Sequence, residues 1–172
     1  AALARGDTHY TQAAGIPALR EAISCHYKQD YGLDIGPERI MVTSGASGAL
    51  LLIAGLLINP GDSMLMADPG YPCNRHFLRL VEGRGQLIPV GPEDRYQLTA
   101  HVAEKNWEQR TMGIMVASPA NPTGEILSKQ ELTDLYQLCE RKGGHLVVDE
   151  IYHGLTYGDD APSILEITDQ AF

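Results

Sequence analysis

The chain has 172 residues, of which 44% are hydrophobic and 20% are charged, the balance of a folded globular protein. Its net charge is −9 and its 13 basic residues are scattered, which argues against a surface that binds DNA or RNA. No apolar run approaches the ~18 residues that cross a bilayer, and no secretory leader opens the sequence, so we expect no membrane partner.

The cysteines and histidines point to no metal and no disulfide framework. Cys25, Cys73 and Cys139 are odd in number and far apart, and no C-x-x-C pair occurs. The histidines are dispersed, without the H-x-x-x-H spacing of a metal-binding helix. We therefore expect no bound metal, and a reducing cytoplasm as the location.

Segments of two kinds alternate along the chain. Residues 1–15 look irregular and are predicted to form an N-terminal arm, followed by a partial α/β domain over residues 16–172. Pro17 is well placed to open the first helix, and Gly32 to end it. Further helices are predicted at 47–58, 73–82, 99–109 and 128–142. Strands are predicted at 39–43, 63–67, 86–90, 113–117 and 145–148.

The predicted strands are apolar runs without strict alternation, which suits strands that are covered on both faces. Ser128 and Glu131 form a capping-box pattern, which predicts the start of the last helix. Repeated strand–helix units predict a three-layer α/β/α fold with a mainly parallel sheet. Because ligands of such sheets bind beyond the carboxyl ends of the strands, candidate residues are sought directly after each apolar run.

The first such position is a turn of small residues, Gly45, Ala46 and Ser47, which runs directly into a helix. Small residues let a backbone approach a ligand closely, and the N–H groups of a helix start favour an anion such as phosphate. The alternative is a turn that only packs the helix on the sheet.

Two further turns hold side chains that could face a ligand. Tyr71 lies in D-P-G-Y-P, where two prolines restrict the backbone and could fix a ring that stacks on a flat ligand. Asn121 lies in A-N-P-T-G, between restricted residues that could aim its amide. The alternative in both cases is an ordinary surface turn.

The last candidate motif is D-E-I-Y, which directly follows the strand predicted at 145–148. Asp149 would be half-buried there and would need a cationic or donor partner. Tyr152 lies three residues further along, close enough to serve the same ligand. The alternative is an aspartate that caps the next segment. Together the four motifs supply what one ligand would need: phosphate donors, a stacking ring, an amide and a carboxylate.

These motifs resemble the class I/II aminotransferases of pyridoxal-phosphate (PLP) fold type I. The matching text is Y-T-Q-A-A-G-I-P-A-L-R-E-A-I from Tyr10, then T-S-G-A-S-G-A-L, D-P-G-Y-P, A-N-P-T-G and V-V-D-E-I-Y. Their order and spacing match the family from Tyr10 to about Gly158. The resemblance implies an incomplete PLP-binding large domain and a place in amino acid metabolism.

The resemblance also implies roles for the candidate residues. Asp149 would pair with the pyridine nitrogen of PLP and, with Tyr152, serve catalysis. Asn121 and Tyr152 would bind the 3-oxygen of the ring, and Tyr71 would stack on its face. The turn of Gly45, Ala46 and Ser47 would hold the phosphate. Tyr10 would reach the phosphate of the partner subunit in a homodimer.

The family lysine that forms the Schiff base with PLP follows D-E-x-Y, as does the arginine that binds the substrate carboxylate. The lysines of this chain all precede Asp149 and lie on predicted helices, and they are Lys28, Lys105, Lys129 and Lys142. The resemblance therefore implies a chain that is inactive alone. It also places two further strands between the fifth and first strands, and favours a cis Asn121–Pro122 bond.

The implied activity of the whole protein is amino-group transfer from an amino acid to a 2-oxo acid. Two alternatives use the same cofactor residues: a PLP-dependent lyase or decarboxylase, and the effector-sensing domain of an aminotransferase-like transcription regulator. A third alternative is a degenerate domain that binds partners without chemistry.

Overall fold

The structure, a computed structural model, describes residues 2–158 and 161–172. It divides into two compact units, one ending at Gly45 and the other beginning at Ala46. None of the described helices combines the length and the apolar character needed to cross a membrane. The helices are α1 (Ala2–Arg5), α2 (Pro17–Tyr31), α3 (Gly45–Leu57), α4 (Asn74–Leu80), α5 (Ala100–Lys105) and α6 (Lys129–Lys142). The strands are β1 (Ser63–Asp68), β2 (Arg84–Pro89), β3 (Thr111–Ala117) and β4 (His145–Asp149).

The first unit is organised around α2, whose two ends agree with the sequence-based prediction. Pro17 occupies the first turn, where its missing N–H costs nothing. Gly32 ends the helix in the left-handed conformation with φ of 68°, and its N–H donates to the Tyr27 carbonyl. The domain boundary predicted after residue 15 stays a prediction.

The strand predicted at 39–43 is wrong. Arg39 ends a short 3₁₀ turn, Ile40 is extended, and no residue from Ile40 to Thr43 belongs to a sheet. Its polar groups find other partners within the first unit: the Ile40 carbonyl accepts from Arg20 Nε at 2.9 Å, and Val42 N–H donates to the Ala14 carbonyl at 3.0 Å. A strand is defined by a neighbouring strand, and the apolar pattern of 39–43 cannot supply one.

The second unit contains a four-stranded parallel sheet in the order β2-β1-β3-β4. This confirms four of the five predicted strands and the parallel α/β class. Gly113 allows β3 to approach β4, because a Cβ at this position would lie 2.1 Å from the His145 carbonyl oxygen. Phe172 bridges to the outer edge of β4, donating its N–H to Leu146 O and accepting from Val148 N–H. This hydrogen-bond pattern is that of a parallel bridge.

Both faces of the sheet are buried, which explains why the strands lack an alternating polar pattern. Leu65 of β1 packs in a cluster with the buried leucines of α6. Met64 and Met66, its neighbours on the strand, pack on the other face against α3 and α4. Side chains of one strand therefore enter two cores, and the second unit has three layers.

The start of α6 confirms the predicted capping box. Ser128 Oγ accepts from Glu131 N–H at 3.2 Å, and Glu131 Oε2 accepts from Ser128 N–H at 2.7 Å. Two of the N–H groups that a helix start leaves unsatisfied thus gain partners. Downstream, Leu132, Leu135 and Leu138 are fully buried against the sheet.

Replacing Ser128 tests how much this cap contributes to the stability of the fold. Ser128→Ala removes the acceptor for Glu131 N–H and should lower the free energy of unfolding by about 1 kcal/mol. Thr133→Ala is the matched control, since its hydroxyl bonds the Lys129 carbonyl within the same helix, and this bond caps no helix end. Urea denaturation followed by circular dichroism measures both. An equal loss of stability in the two variants would contradict the prediction.

Candidate functional site

Three of the candidate motifs leave the sheet at adjacent positions. In the β3–β4 pairing, Ala117 is the register partner of Asp149, the last residue of β4. The next residue of the A-N-P-T-G loop, Ser118, donates its N–H to the Asp149 carbonyl at 3.1 Å. β1, which leads into D-P-G-Y-P, is the other neighbour of β3. The loops after β1, β3 and β4 therefore begin side by side.

Asp149 is a half-buried carboxylate at this edge. Its Oδ1 accepts a hydrogen bond of 3.1 Å from Ile151 N–H. Among the residues that the structure describes, no cationic side chain pairs with it. Burial raises the pKa of Asp149 above its ordinary value, and the bond from Ile151 only partly opposes the shift. A cationic donor brought to this carboxylate would relieve that cost.

Asn121 and Tyr152 are in contact. Asn121 Nδ2 lies 3.4 Å from the Tyr152 hydroxyl, at the long end of hydrogen-bond range. The Asn121–Pro122 bond is cis, as the sequence predicted, and the Asp68–Pro69 and Ser118–Pro119 bonds are also cis, which it did not predict. An amide and a phenol thus lie together beside the end of β4.

Gln97, which the sequence analysis did not identify, supports the Asn121 loop. It is buried, with 3% of its surface exposed, and its Nε2 donates to the Ala117 carbonyl at 3.2 Å and to the Glu125 carbonyl at 3.1 Å. The Glu125 carbonyl also accepts from Ala120 N–H at 2.9 Å. Gln97 therefore joins the two ends of the loop. No sequence signal marks it, since it stands outside every motif.

Tyr71 brings a ring to the same edge, between Pro69 and Pro72. Its hydroxyl lies beside the Cys73 thiol, which is the main cause of a raised pKa of Tyr71. Burial and the nearby Tyr152 phenol raise the pKa further, while the Ser47 hydroxyl opposes the shift. These influences show that Tyr71 stands near both Ser47 and Tyr152. The ring is 38% exposed and so can still contact a ligand.

Two cavities flank Asn121. One, of about 260 Å³, is lined by Asp68, Tyr71, Gln97 and Asn121, among others. The other, of about 480 Å³, lies between the A-N-P-T-G loop and the segment after β4, and Tyr152 and Tyr157 line it. Among the described residues, no lysine lines either cavity.

The remaining predicted residues are distributed between the two units. Ala46 and Ser47 lie in the first turn of α3 in the second unit. The N–H groups of a helix start have no acceptors within the helix and suit an anion. Gly45 is the last residue of the first unit and has a φ of 73°, a conformation that favours glycine. Tyr10 lies in the irregular segment between α1 and α2, and its side chain is fully exposed.

Comparison with known proteins identifies the family. The family model described as aminotransferase class I and II matches residues 1–171. The chain belongs to the class I and II aminotransferase family. It is 39% identical over 157 residues to a valine–pyruvate aminotransferase of Mycobacterium tuberculosis, a match that covers 91% of this chain and 40% of that protein.

Other aminotransferases show the same likeness. A (5-formylfuran-3-yl)methyl phosphate transaminase of Methanocaldococcus jannaschii is 34% identical over 164 residues, covering 95% of this chain and 41% of that one. The crystal structure of an aminotransferase from Mycobacterium tuberculosis superimposes with a TM-score of 0.92 at 35% identity, covering 99% of this chain and 44% of that one. The fold is thus that of the α/β large domain of PLP fold type I, and the chain spans about two-fifths of the length of these relatives.

The burial of Asp149 predicts a pH-dependent stability. Because its pKa is raised on folding, the unfolded chain holds this proton less tightly, and the folded state loses stability as pH rises through the folded-state pKa. Asp149→Asn keeps the acceptor for Ile151 and removes the charge. We expect the variant to be more stable than the wild type at pH 7.

Chemical denaturation of cofactor-free protein across a pH series measures the difference. The difference in free energy of unfolding between the two proteins should shrink as pH falls through the folded-state pKa of Asp149. It should vanish below the ordinary aspartate pKa of 3.8. A variant that is less stable than the wild type at pH 7, or a gap that does not change with pH, would refute this account of Asp149.

Proposed function

We propose that this chain supplies the cofactor-binding part of a PLP-dependent transaminase, which transfers an amino group from an amino acid to a 2-oxo acid. The observation that carries the proposal is Asp149, a half-buried carboxylate with a raised pKa and no cationic partner among the described residues, at the end of the strand whose neighbour leads into the loop of Asn121. Membership of the aminotransferase family supports the same class of reaction.

The residues present fit the pyridoxal group. A protonated ring nitrogen would supply the cationic donor that the Asp149 carboxylate lacks. The first turn of α3, with Ala46 and Ser47 following Gly45, offers N–H groups that suit a phosphate. The half-exposed Tyr71 ring lies near Ser47, and so near the end of the ligand that carries the phosphate.

Bound at this site, PLP would supply an electron-withdrawing ring that stabilises the carbanion left when an amino acid loses its α-proton. The chain's own residues would tune and hold that ring. Asp149 would keep a proton on the ring nitrogen, because an ionised carboxylate stabilises the cation. Asn121 and Tyr152 would donate hydrogen bonds to the 3-oxygen. Tyr71 would cover the ring and limit the access of water.

We further propose that the 172-residue chain does not turn over alone. The three lysines of the second unit lie at helix ends. Lys129 pairs with Glu166, Lys142 pairs with Glu104, and Lys105 is exposed on the surface. Lys28 lies on α2 and pairs with Asp34 in the first unit. The lysine that reacts with the cofactor would then lie in sequence that corresponds to the part of the relatives that this chain does not cover.

Isotope transfer distinguishes the proposed reaction from its alternatives. The chain is expressed alone and as the longest reading frame that contains it, and each protein receives PLP, 2-oxo acids and amino acids labelled with ¹⁵N. We expect the label on a new amino acid only with the longer protein. Asp149→Ala in that protein should lower kcat by about 100-fold or more, because the charge that stabilises the ring cation is lost.

Each other outcome has a distinct meaning. Release of labelled ammonia or of carbon dioxide, without label transfer, would support a lyase or decarboxylase and refute the transaminase. Label transfer by the 172-residue chain alone, with a reduced pyridoxyl group located on one of its lysines after borohydride treatment, would refute the proposal of inactivity. Unchanged turnover in Asp149→Ala would refute the role of Asp149.

We also propose that the active protein is a homodimer in which Tyr10 serves the partner's phosphate site. Its fully exposed side chain, in an irregular segment, supports a role outside its own chain. Mixing Tyr10→Phe protein with Asp149→Asn protein tests this, because a mixed dimer would contain one site with both residues intact. Random exchange of subunits should restore about a quarter of wild-type activity. Failure of the mixture to exceed its two components would show that Tyr10 does not act across an interface.

A further inference from the structure

Glu150 stands between the two proposed cofactor residues Asp149 and Tyr152, yet its carboxylate bonds a different part of the chain. Its Oε1 accepts from Ile164 N–H at 2.7 Å, and its Oε2 accepts from Ser163 Oγ at 3.0 Å. The side chain is 13% exposed, and His153 Nδ1 lies 3.7 Å from Oε2. Burial raises the pKa of Glu150, while the bonds from Ile164 and Ser163 and the nearby His153 oppose the shift. A nearly buried carboxylate with two donors has a defined position.

The segment that Glu150 holds is itself well anchored. Residues Ile164–Glu166 form a 3₁₀ turn that begins with a capping box, in which Ser163 Oγ accepts from Leu165 N–H and Glu166 accepts from Ser163 N–H. Ile164 is 2% exposed and belongs to the core beneath α6. Lys129 at the start of α6 pairs with Glu166 at 3.1 Å. This turn therefore has a well-defined position, to which the Glu150 carboxylate is bonded.

Tyr152, in contrast, is only partly buried. Its side chain is 36% exposed. Its backbone belongs to a turn that the bond from His153 N–H to the Glu150 carbonyl closes at 3.0 Å. The direction of the phenol therefore depends on how the backbone at Glu150 is held. The Glu150 side chain contributes to this through Ser163 and Ile164, in addition to the bond from Ile151 N–H to Asp149 Oδ1.

From these contacts we propose that Glu150 is a positioning residue, which ties the turn carrying Tyr152 to the anchored turn at Ser163 and Ile164 and so sets the Tyr152 hydroxyl against Asn121. This inference rests on the proposed function, since the value of that geometry is to bind the ring oxygen of PLP. This role requires a side chain that is long enough to make both hydrogen bonds at once. Glu150 acts through Tyr152 and needs no contact with the cofactor.

Three substitutions of Glu150 test separately the length of its side chain, its charge and its hydrogen bonds. Glu150→Gln keeps the length and can still bond both partners, because its carbonyl accepts from Ile164 and its amide donates to Ser163 Oγ, a bond whose direction is reversed. Glu150→Ala removes both bonds. Glu150→Asp keeps the charge but is one methylene shorter and cannot hold both donors; it replaces the alanine variant if that protein fails to fold.

Asp62→Ala is the matched control for a general loss of stability. Asp62 is also a buried carboxylate that accepts from one backbone N–H, that of Asn59 at 2.9 Å, and from one side chain, Arg110 at 2.8 Å. It precedes β1, so it lies at the amino ends of the strands, away from the loops of the candidate site.

The first measurement needs no cofactor. Amide hydrogen exchange, read by mass spectrometry, should be at least about tenfold faster for residues 151–156 in Glu150→Ala than in the wild type, because the tie that holds this turn is lost. Glu150→Gln should match the wild type. Asp62→Ala should accelerate exchange near its own site and leave residues 151–156 unchanged relative to the rest of the chain.

The second measurement is the dissociation constant of PLP, determined by equilibrium dialysis with the same substitutions made in the protein of the longest reading frame that contains the chain. Glu150→Ala should weaken binding by about tenfold, Glu150→Gln by less than about threefold, and Asp62→Ala not at all under conditions where it remains folded. If the wild type binds no PLP, the proposed function fails while hydrogen exchange still decides the role of Glu150. Normal exchange of residues 151–156 in Glu150→Ala, or a Gln variant as impaired as Ala, would overturn the inference.

Discussion

The parallel pairing of β3 with β4 is the constraint on which the candidate site depends. It makes Ala117 and Asp149 register partners, so that the loop carrying Asn121 and the turn carrying Tyr152 start from neighbouring points. A shift of one residue along β4 would turn Asp149 to the opposite face of the sheet, because side chains alternate along a strand. Packing opposes such a shift, since it would move Leu146 out of the core that it shares with α6 to the other face of the sheet. Core packing thus determines where the carboxylate lies.

The sequence predicted those features that depend on nearby residues. Ser128 and Glu131 form the cap that their spacing indicates, because both partners lie within one helical turn. Gly32 ends α2 because the left-handed conformation is easiest for glycine. The four confirmed strands were visible because burial on both faces leaves a continuous apolar run. Asp149, Asn121 and Tyr152 could be proposed because each follows such a run, within a motif that resembles a known family.

Features that depend on distant residues could not be predicted in the same way. The segment 39–43 has the composition of a strand, but it bonds Arg20 and Ala14 instead of a neighbouring strand. Gln97 is separated by 20 residues from one of its acceptors and by 28 from the other, and no pattern in the sequence links them. Glu150 was visible in D-E-I-Y, but its partners at Ser163 and Ile164 became evident only from the fold.

The cysteines differ in a way that matters for chemical labelling. Cys139 is buried, and burial raises its pKa to about 12, so it remains a protonated and inert thiol at neutral pH. Cys25 is exposed on α2, and Cys73 is half-buried beside the Tyr71 hydroxyl. With Cys25 replaced by serine, an alkylating reagent would be directed to Cys73 in the folded protein. The rate of that single reaction would then report how open the edge of the sheet around Tyr71 is, and a fluorescent group attached there would sense its polarity.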